Sequence, residues 1–268
     1  MIDLHIHTNY SDGTNTPLEI LQMAEMLGLK QISITDHNCV DGALEARKHL
    51  EQFSFDFVIG CELSCDFREK EIHLLGYFNK KTDNFDVLRS FIQKGDYAKQ
   101  TQHRGIIEKL QKLGFSVTYD ELLKMYPNVV RNRVHIAQLL ISKGYAQSVA
   151  EVFDRYVTKG KPCYVKKQSQ PLEDGINAIH RCGGLAVIAH FYEYKKPDFE
   201  EFFGDAVHKI DGIEAYHSKH SREQTDRLIE IANKYGKLIT GGSDYHGAVK
   251  PNVKLGCAEV PDEYMIKF

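Results

Sequence analysis

Along the first 78 residues, short runs in which apolar and polar side chains alternate are followed by longer runs with helical spacing. Ile2, Leu4 and Ile6 alternate with Asp3, His5 and His7, which predicts a strand over residues 1–8. Thr16, Pro17 and Glu19 supply an N-cap, a first-turn proline and the second half of a capping box, so a helix is expected to run to Leu27 and stop at Gly28. Further strands are predicted at 31–35, 55–60 and 71–78, with a second helix from Asp41 to Leu50. The rhythm then breaks. From Lys80 to about Gly160 the spacing predicts helices alone: a long or kinked one over 85–113, then shorter ones over 120–125, 134–143 and 148–157. Alternation resumes with a helix at 171–182, a strand at 185–189, a helix near 198–207 and a strand at 212–216. A helix capped by Ser221 and Gln224 and a strand at 238–241 complete it. Seven strands alternating with helices predict a parallel, barrel-like α/β domain over 1–79 and 166–268, interrupted by a helical insertion over 80–165.

Composition narrows the picture. Hydrophobic residues at 42% and charged residues at 26% are those of an ordinary globular protein with a sizeable core. A net charge of −3 excludes a polycationic surface for long duplex nucleic acid, while leaving room for a local anion site. No apolar run approaches the roughly 20 residues that span a bilayer, and Met1-Ile2-Asp3-Leu4-His5 lacks the basic and apolar segments of a secretory signal, so a cytoplasmic location is expected. Six scattered cysteines are then expected to be reduced and structural; Cys61 and Cys65 have no second pair to complete a zinc knuckle.

The titratable residues fall where the strands end. His5 and His7 share a strand face, because residues two apart point the same way. Asp12 follows in a loop, Asp36 and His37 end the second strand, Glu62 the third, and His73 lies in the fourth. His190 ends the fifth, Glu214 lies in the sixth, and Asp244 and His246 follow the seventh. Each alone has an ordinary explanation as a turn, cap or solvated residue. Together they would crowd one concave mouth, which requires compensation by metal or by pairing. Imidazole and carboxylate without thiolate suit zinc, manganese or iron, with magnesium as a further candidate, and so many ligands point to two or three divalent ions.

At these residues the chain resembles the polymerase and histidinol phosphatase (PHP) superfamily. The matching pieces are His5-Ile6-His7 with Ser11-Asp12-Gly13, Thr35-Asp36-His37, Gly60-Cys61-Glu62, His73-Leu74-Leu75-Gly76, Ala189-His190 and Ser243-Asp244-Tyr245-His246. The resemblance implies a distorted (β/α)7 barrel with a trinuclear centre. In that scheme His5, His7, Glu62 and Asp244 hold one ion, Asp12, His37 and His246 a second, and Glu62 bridges to a third with His73 and His190. Within the superfamily the chain is most similar to small stand-alone enzymes that act on nucleoside 3′,5′-bisphosphates or short oligonucleotides, a likeness that continues through Asn132-Arg133-Val134-His135 and Lys161-Pro162-Cys163-Tyr164. It departs where that branch has Gly-Arg-Pro-His in place of 132–135, and proline in place of Phe191.

The expected activity is phosphate-ester hydrolysis by a metal-bound hydroxide, with Asp12, His37 and His220 at the catalytic end. Arg133 is the expected phosphate clamp, because guanidinium is a planar bidentate fork. His135 is expected to contact phosphate or to cap its helix, Lys161 to supply charge and Tyr164 to stack on a base unless both serve only at the surface, and His220 to contact phosphate or protonate the leaving group. Asp36 is expected beside His37 as a supporting partner or strand-end cap, and His217 behind a ligand or at the surface. His49, His103, His180 and His208 lie on predicted helices and are not expected to be ligands. The expected substrates are small phosphorylated molecules, nucleotides or short single-stranded oligonucleotides, with no membrane partner. A histidinol-phosphate phosphatase, a metal-dependent amide hydrolase and a non-catalytic metal module serving a polymerase are the competing readings.

Overall fold

The structure is a computed structural model that describes residues 1–127, 132–194 and 199–268; Asp198, the expected start of one helix, lies outside them. Internal contacts divide the chain into two units, Met1–Ile92 with Gln170–Phe268, and Gln93–Ser169.

The first unit is a seven-stranded, nearly closed barrel with helices around it. Its strands are β1 (Asp3–Ile6), β2 (Gln31–Ile34), β3 (Asp56–Phe67), β4 (Lys70–Phe78), β5 (Leu185–Ile188), β6 (Gly212–His217) and β7 (Leu238–Gly242), hydrogen-bonded in sequence order. The ring is drawn together where Asp244 N–H donates to His5 O and His7 N–H donates to Tyr245 O, each at 2.9 Å. Between β1 and β3, and again between β5 and β7, neighbours are parallel.

The all-parallel expectation fails at β4, which runs antiparallel to both neighbours. β3 does not stop at Gly60 but continues to Phe67, and only Arg68 and Glu69 separate it from β4. A two-residue connection can join only antiparallel strands. Both residues adopt left-handed backbone, φ 51° and 66°, as tight hairpins require. No glycine or asparagine marks that turn in the sequence.

Helices α1 (Pro17–Met26), α2 (Asp41–Arg47), α7 (Leu172–Arg181), α8 (Phe199–Ala206) and α9 (Arg222–Lys234) belong to this unit. The capping boxes at Thr16–Glu19 and Ser221–Gln224 form as expected, each with its two reciprocal hydrogen bonds. The largest apolar cluster joins Ile20 and Leu21 of α1, Ile179 of α7 and Leu228 of α9 to Ile34, Ile59, Leu74 and Ile213 of the strands. The alternate strand residues Val58, Leu75, Tyr77 and Val187 build a separate cluster with Leu4 and Val260. Strands are therefore buried on both faces, as parallel barrels demand. This is why Asp3, His5 and His7 of the first strand region are wholly buried rather than solvated.

The second unit contains most of α3 (Asp86–Lys112), then α4 (Tyr119–Met125), α5 (Arg133–Ser142) and α6 (Val149–Val152). It has its own core, with Ile106, Leu110, Leu122, Ile136, Leu140 and Val157 at its centre. Among the described residues no helix is long and apolar enough to cross a membrane, and all six cysteines are free thiols.

Candidate metal centre

The strand ends bring nine titratable side chains together. His5 lies in β1 and His7 just past it; His37 follows β2, His190 follows β5, and Asp244 and His246 follow β7. These parallel strands deliver the side chains at their carboxyl ends. Antiparallel β4 delivers His73 from its first half, which lies at the same end of the barrel because His73 pairs with Ser64 of β3. Glu62 stands mid-strand in β3, tied to the end of β2 by Asn38 N–H to Glu62 O at 2.7 Å and Glu62 N–H to Asp36 O at 3.1 Å.

Glu62 is the hub, and it is wholly buried. Its Oε1 lies 2.8 Å from His73 Nδ1 and 2.9 Å from His190 Nε2. Its Oε2 lies 2.9 Å from His37 Nδ1, 3.2 Å from His7 Nε2 and 3.3 Å from His5 Nε2, yet makes no well-formed hydrogen bond. His5 Nε2 and His7 Nε2 face each other at 3.1 Å, so at most one proton fits between them. Lone pairs converging on shared space, with too few protons to join them, are what a cation would satisfy. The donors form four overlapping groups, each with its atoms within 4.8 Å: His7, Asp12, His37 and His246; His5, His7 and Asp244; His5, Glu62 and His190; His37, Glu62 and His73. Donors about 2 Å from a common ion stand at most ~4 Å apart, so modest adjustment completes such sites.

The surroundings fix which nitrogens face the cluster. His5 Nδ1 donates to Glu214 Oε1 at 2.9 Å, which leaves Nε2 as a lone pair facing the cluster. The other oxygen of Glu214 accepts from His190 N–H at 2.6 Å. His246 Nδ1 donates to Asp244 O at 2.8 Å, leaving Nε2 to face Asp12, 3.4 Å away. Asp36 joins no group of donors. It accepts from Thr8 N–H at 2.7 Å, Ser11 Oγ at 2.6 Å and Thr8 Oγ at 2.7 Å, and so braces the loop that carries Asp12. Non-glycine residues in left-handed backbone gather here, with φ 23° at His190, 57° at Asp244 and 47° at Asn38. Such conformations cost on the order of 1–3 kcal/mol each and persist where the surroundings over-determine them.

Charge in the cluster is strongly coupled. Burial would raise the Glu62 carboxyl, but His37, His73 and His5 hold it well below the carboxylate range. Burial would likewise depress His7, but Asp244 and Glu62 lift it to about 9. Against the same burial, Glu62 and Glu71 lift His73 to about 9. At His37 and His190 burial prevails and the pKa falls. Without metal the cluster is thus held by protons shared among imidazoles and carboxylates, which a divalent cation would displace.

A cavity of about 510 Å³ opens above this cluster, with His37, His73, His190 and Asp244 on its floor and Glu193, Lys219 and Lys250 among its other lining residues. His220 lies in the β6–α9 loop. Its Nδ1 donates to Ala215 O at 2.8 Å, its Nε2 is buried without a partner, and burial depresses its pKa, so the neutral ring presents a lone pair. Arg133, His135, Lys161 and Tyr164 belong to the second unit. There the Arg133 guanidinium lies 5.4 Å from the Phe153 ring centre, and His135 Nδ1 accepts from Asn132 N–H at 2.9 Å in a capping box. The Lys161 ammonium stands 3.7 Å from Asp154, and Tyr164 O accepts from Lys109 at 2.6 Å.

Of three further neighbours of the cluster, Lys250 and Tyr194 carried no sequence signal, whereas His217 takes the first of its two expected places, behind a candidate ligand. The His217 side chain is fully buried, 3.5 Å from Asp244 Oδ2, and the Lys250 ammonium lies 2.6 Å from the same oxygen. Tyr194 Oη accepts from His73 N–H at 2.9 Å and donates to Ala189 O at 2.8 Å, pinning together the two segments that carry His73 and His190. The histidines expected to be bystanders join none of the four groups; His180, for example, pairs with Asp211 at 2.6 Å.

The PHP domain model matches residues 3–239. A 5′-3′ exoribonuclease, Rnm, of Salmonella typhimurium is 28% identical over 263 residues, covering 95% of this chain and 87% of that protein. A 3′,5′-nucleoside bisphosphate phosphatase of Chromobacterium violaceum is 28% identical over 275 residues, covering 96% and 91%. Among solved structures, a Bifidobacterium adolescentis protein considered to be a metal-dependent phosphoesterase superposes with TM-score 0.75 at 28% identity, covering 98% of this chain and 93% of that one. Barrel, cluster and relatives agree: the chain belongs to the PHP domain family and is a metal-dependent phosphoesterase, a hydrolase.

Proposed function

We propose that this phosphoesterase acts on nucleotides, removing a phosphate from nucleoside 3′,5′-bisphosphates or trimming short single-stranded oligonucleotides. The observation that carries the reading is that two relatives aligned over 95% and 96% of the chain are named for those two activities. His5, His7, Asp12, His37, Glu62, His73, His190, Asp244 and His246 would hold two or three manganese, iron or zinc ions, supplying an acidified water and positive charge against the phosphate oxygens. The chain's own groups do the rest. Glu214 holds the His5 imidazole and the His190 backbone, and the brace at Asp36 sets the loop of Asp12. The planar guanidinium of Arg133 has the chemistry of a phosphate ligand.

The test is phosphate release in Mn²⁺ from mononucleotides, 3′,5′-bisphosphates, short oligonucleotides and histidinol phosphate, with His37→Ala alongside. His37 is 27% exposed in its side chain, so its truncation leaves no sealed void and the fold should survive. Release from bisphosphates is expected, with a loss of roughly 10²-fold or more in the variant. Selective release from histidinol phosphate would move the chain to the neighbouring branch; silence across the panel would sink the nucleotide reading. Stripping metal with a chelator is expected to abolish activity and lower the melting temperature by roughly 10 °C, because tight ligands at about 1,000 times Kd contribute ~4 kcal/mol. Both should return when Mn²⁺ is restored.

A further inference from the structure

The cavity above the metal cluster carries charge that reaction at a single phosphate does not use. Lys219 follows the end of β6, between His217 and His220, and its backbone is locked there. Its N–H donates to His217 Nδ1 at 3.3 Å, and His220 N–H donates to His217 O at 3.0 Å. The side chain lines the same cavity as His73, His190 and Asp244, and its ammonium pairs with Glu193 from the turn after β5. Both partners are partly exposed, 46% for Lys219 and 33% for Glu193. Water screens such a pair, so holding it together contributes little. A phosphate dianion offers the ammonium more charge and more acceptor oxygens than one carboxylate does. Lys250, by contrast, is committed to Asp244 on the floor. The same two turns border a second cavity, lined by Tyr192 beside Glu193 and by Ser221 and Arg222 beyond His220.

We propose that Lys219, exchanging Glu193 for substrate, binds a second anionic group, the phosphate that is not cleaved. The Glu193–Lys219 pair then sets a preference for bisphosphorylated nucleotides over simple monoesters. The inference rests on the nucleotide reading above and deepens it by assigning the group that reads the second charge.

The test measures inhibition of p-nitrophenyl phosphate hydrolysis by the full, Mn²⁺-loaded chain, with adenosine 3′,5′-bisphosphate and adenosine 3′-monophosphate as the two inhibitors. Wild type should bind the bisphosphate more tightly. In K219Q the bisphosphate constant should rise about ten-fold or more and the monophosphate constant less than about three-fold, with K219R restoring the preference. The double variant E193Q/K219Q should retain the loss, which separates a missing lysine from repulsion by an unpaired glutamate. E193Q alone should tighten the bisphosphate. Thermal melting of each variant checks that the fold is kept. A wild type without preference, or a K219Q ratio equal to wild type, overturns the assignment. Phosphate release from the two nucleotides is read separately. Hydrolysis with an unchanged ratio removes Lys219 alone, whereas tight binding without hydrolysis removes the nucleotide reading and leaves the ratio to judge Lys219.

Discussion

Glu62→Gln is expected to lower kcat/KM by on the order of 10³-fold, about 4 kcal/mol of transition-state stabilisation, and to release at least one equivalent of bound metal. The substitution keeps volume and shape and removes only charge. Yet that charge faces five imidazole nitrogens at 2.8–3.3 Å, and Glu62 belongs to two of the four donor groups. A neutral amide binds divalent ions poorly and cannot balance the imidazoles around it. Because His7 and His73 owe part of their raised pKa to Glu62, the metal-free variant should also carry fewer imidazolium charges near neutral pH. Steady-state kinetics and elemental metal analysis of the purified variant provide the check, with circular dichroism to confirm the fold. Full metal content with activity within ten-fold of wild type would remove Glu62 as the shared ligand.

How much of this was legible depends on the range over which each residue acts. His5 and His7 were legible because a strand's period of two is local, and α1 and α9 because a capping box needs only four residues. The direction of β4 was not. Arg68 and Glu69 adopt left-handed backbone that their side chains do not advertise, and β3 continued past the expected end without a breaker. Asp36 was expected beside its sequence neighbour His37, but it grips Thr8 and Ser11, 28 and 25 residues earlier. His217 and Lys250 meet only at Asp244, a contact that exists once the segment after β7 has docked against β1. Local periodicity reveals which residues occupy strand ends. Which of them touch is decided by closure of the sheet.

That closure makes Gly242→Ala the substitution with the largest expected effect on stability. A Cβ at Gly242 would lie 2.3 Å from His5 N, 2.5 Å from His5 Cβ and 2.8 Å from His5 Cα, so backbone on one side must move. No flexible side-chain tip can give way, and overpacking of this kind costs up to about 3 kcal/mol. For a chain of this size that corresponds to roughly 6–12 °C in melting temperature. The displaced atoms belong to a ligand candidate, so metal affinity should fall with stability rather than remain as it would after a remote defect. Gly204→Ala serves as the control: it lies at an exposed position of α8 with nothing within 4 Å of an added Cβ, and better helix propensity should leave it neutral or more stable by up to about 1 kcal/mol. Melting curves with and without Mn²⁺ distinguish the outcomes. If Gly242→Ala melts like wild type and gains as much from metal, β1 and β7 tolerate separation there and His5 is not held by their close approach. If it melts early and gains little from metal, the same backbone contact that closes the barrel also positions the first ligand.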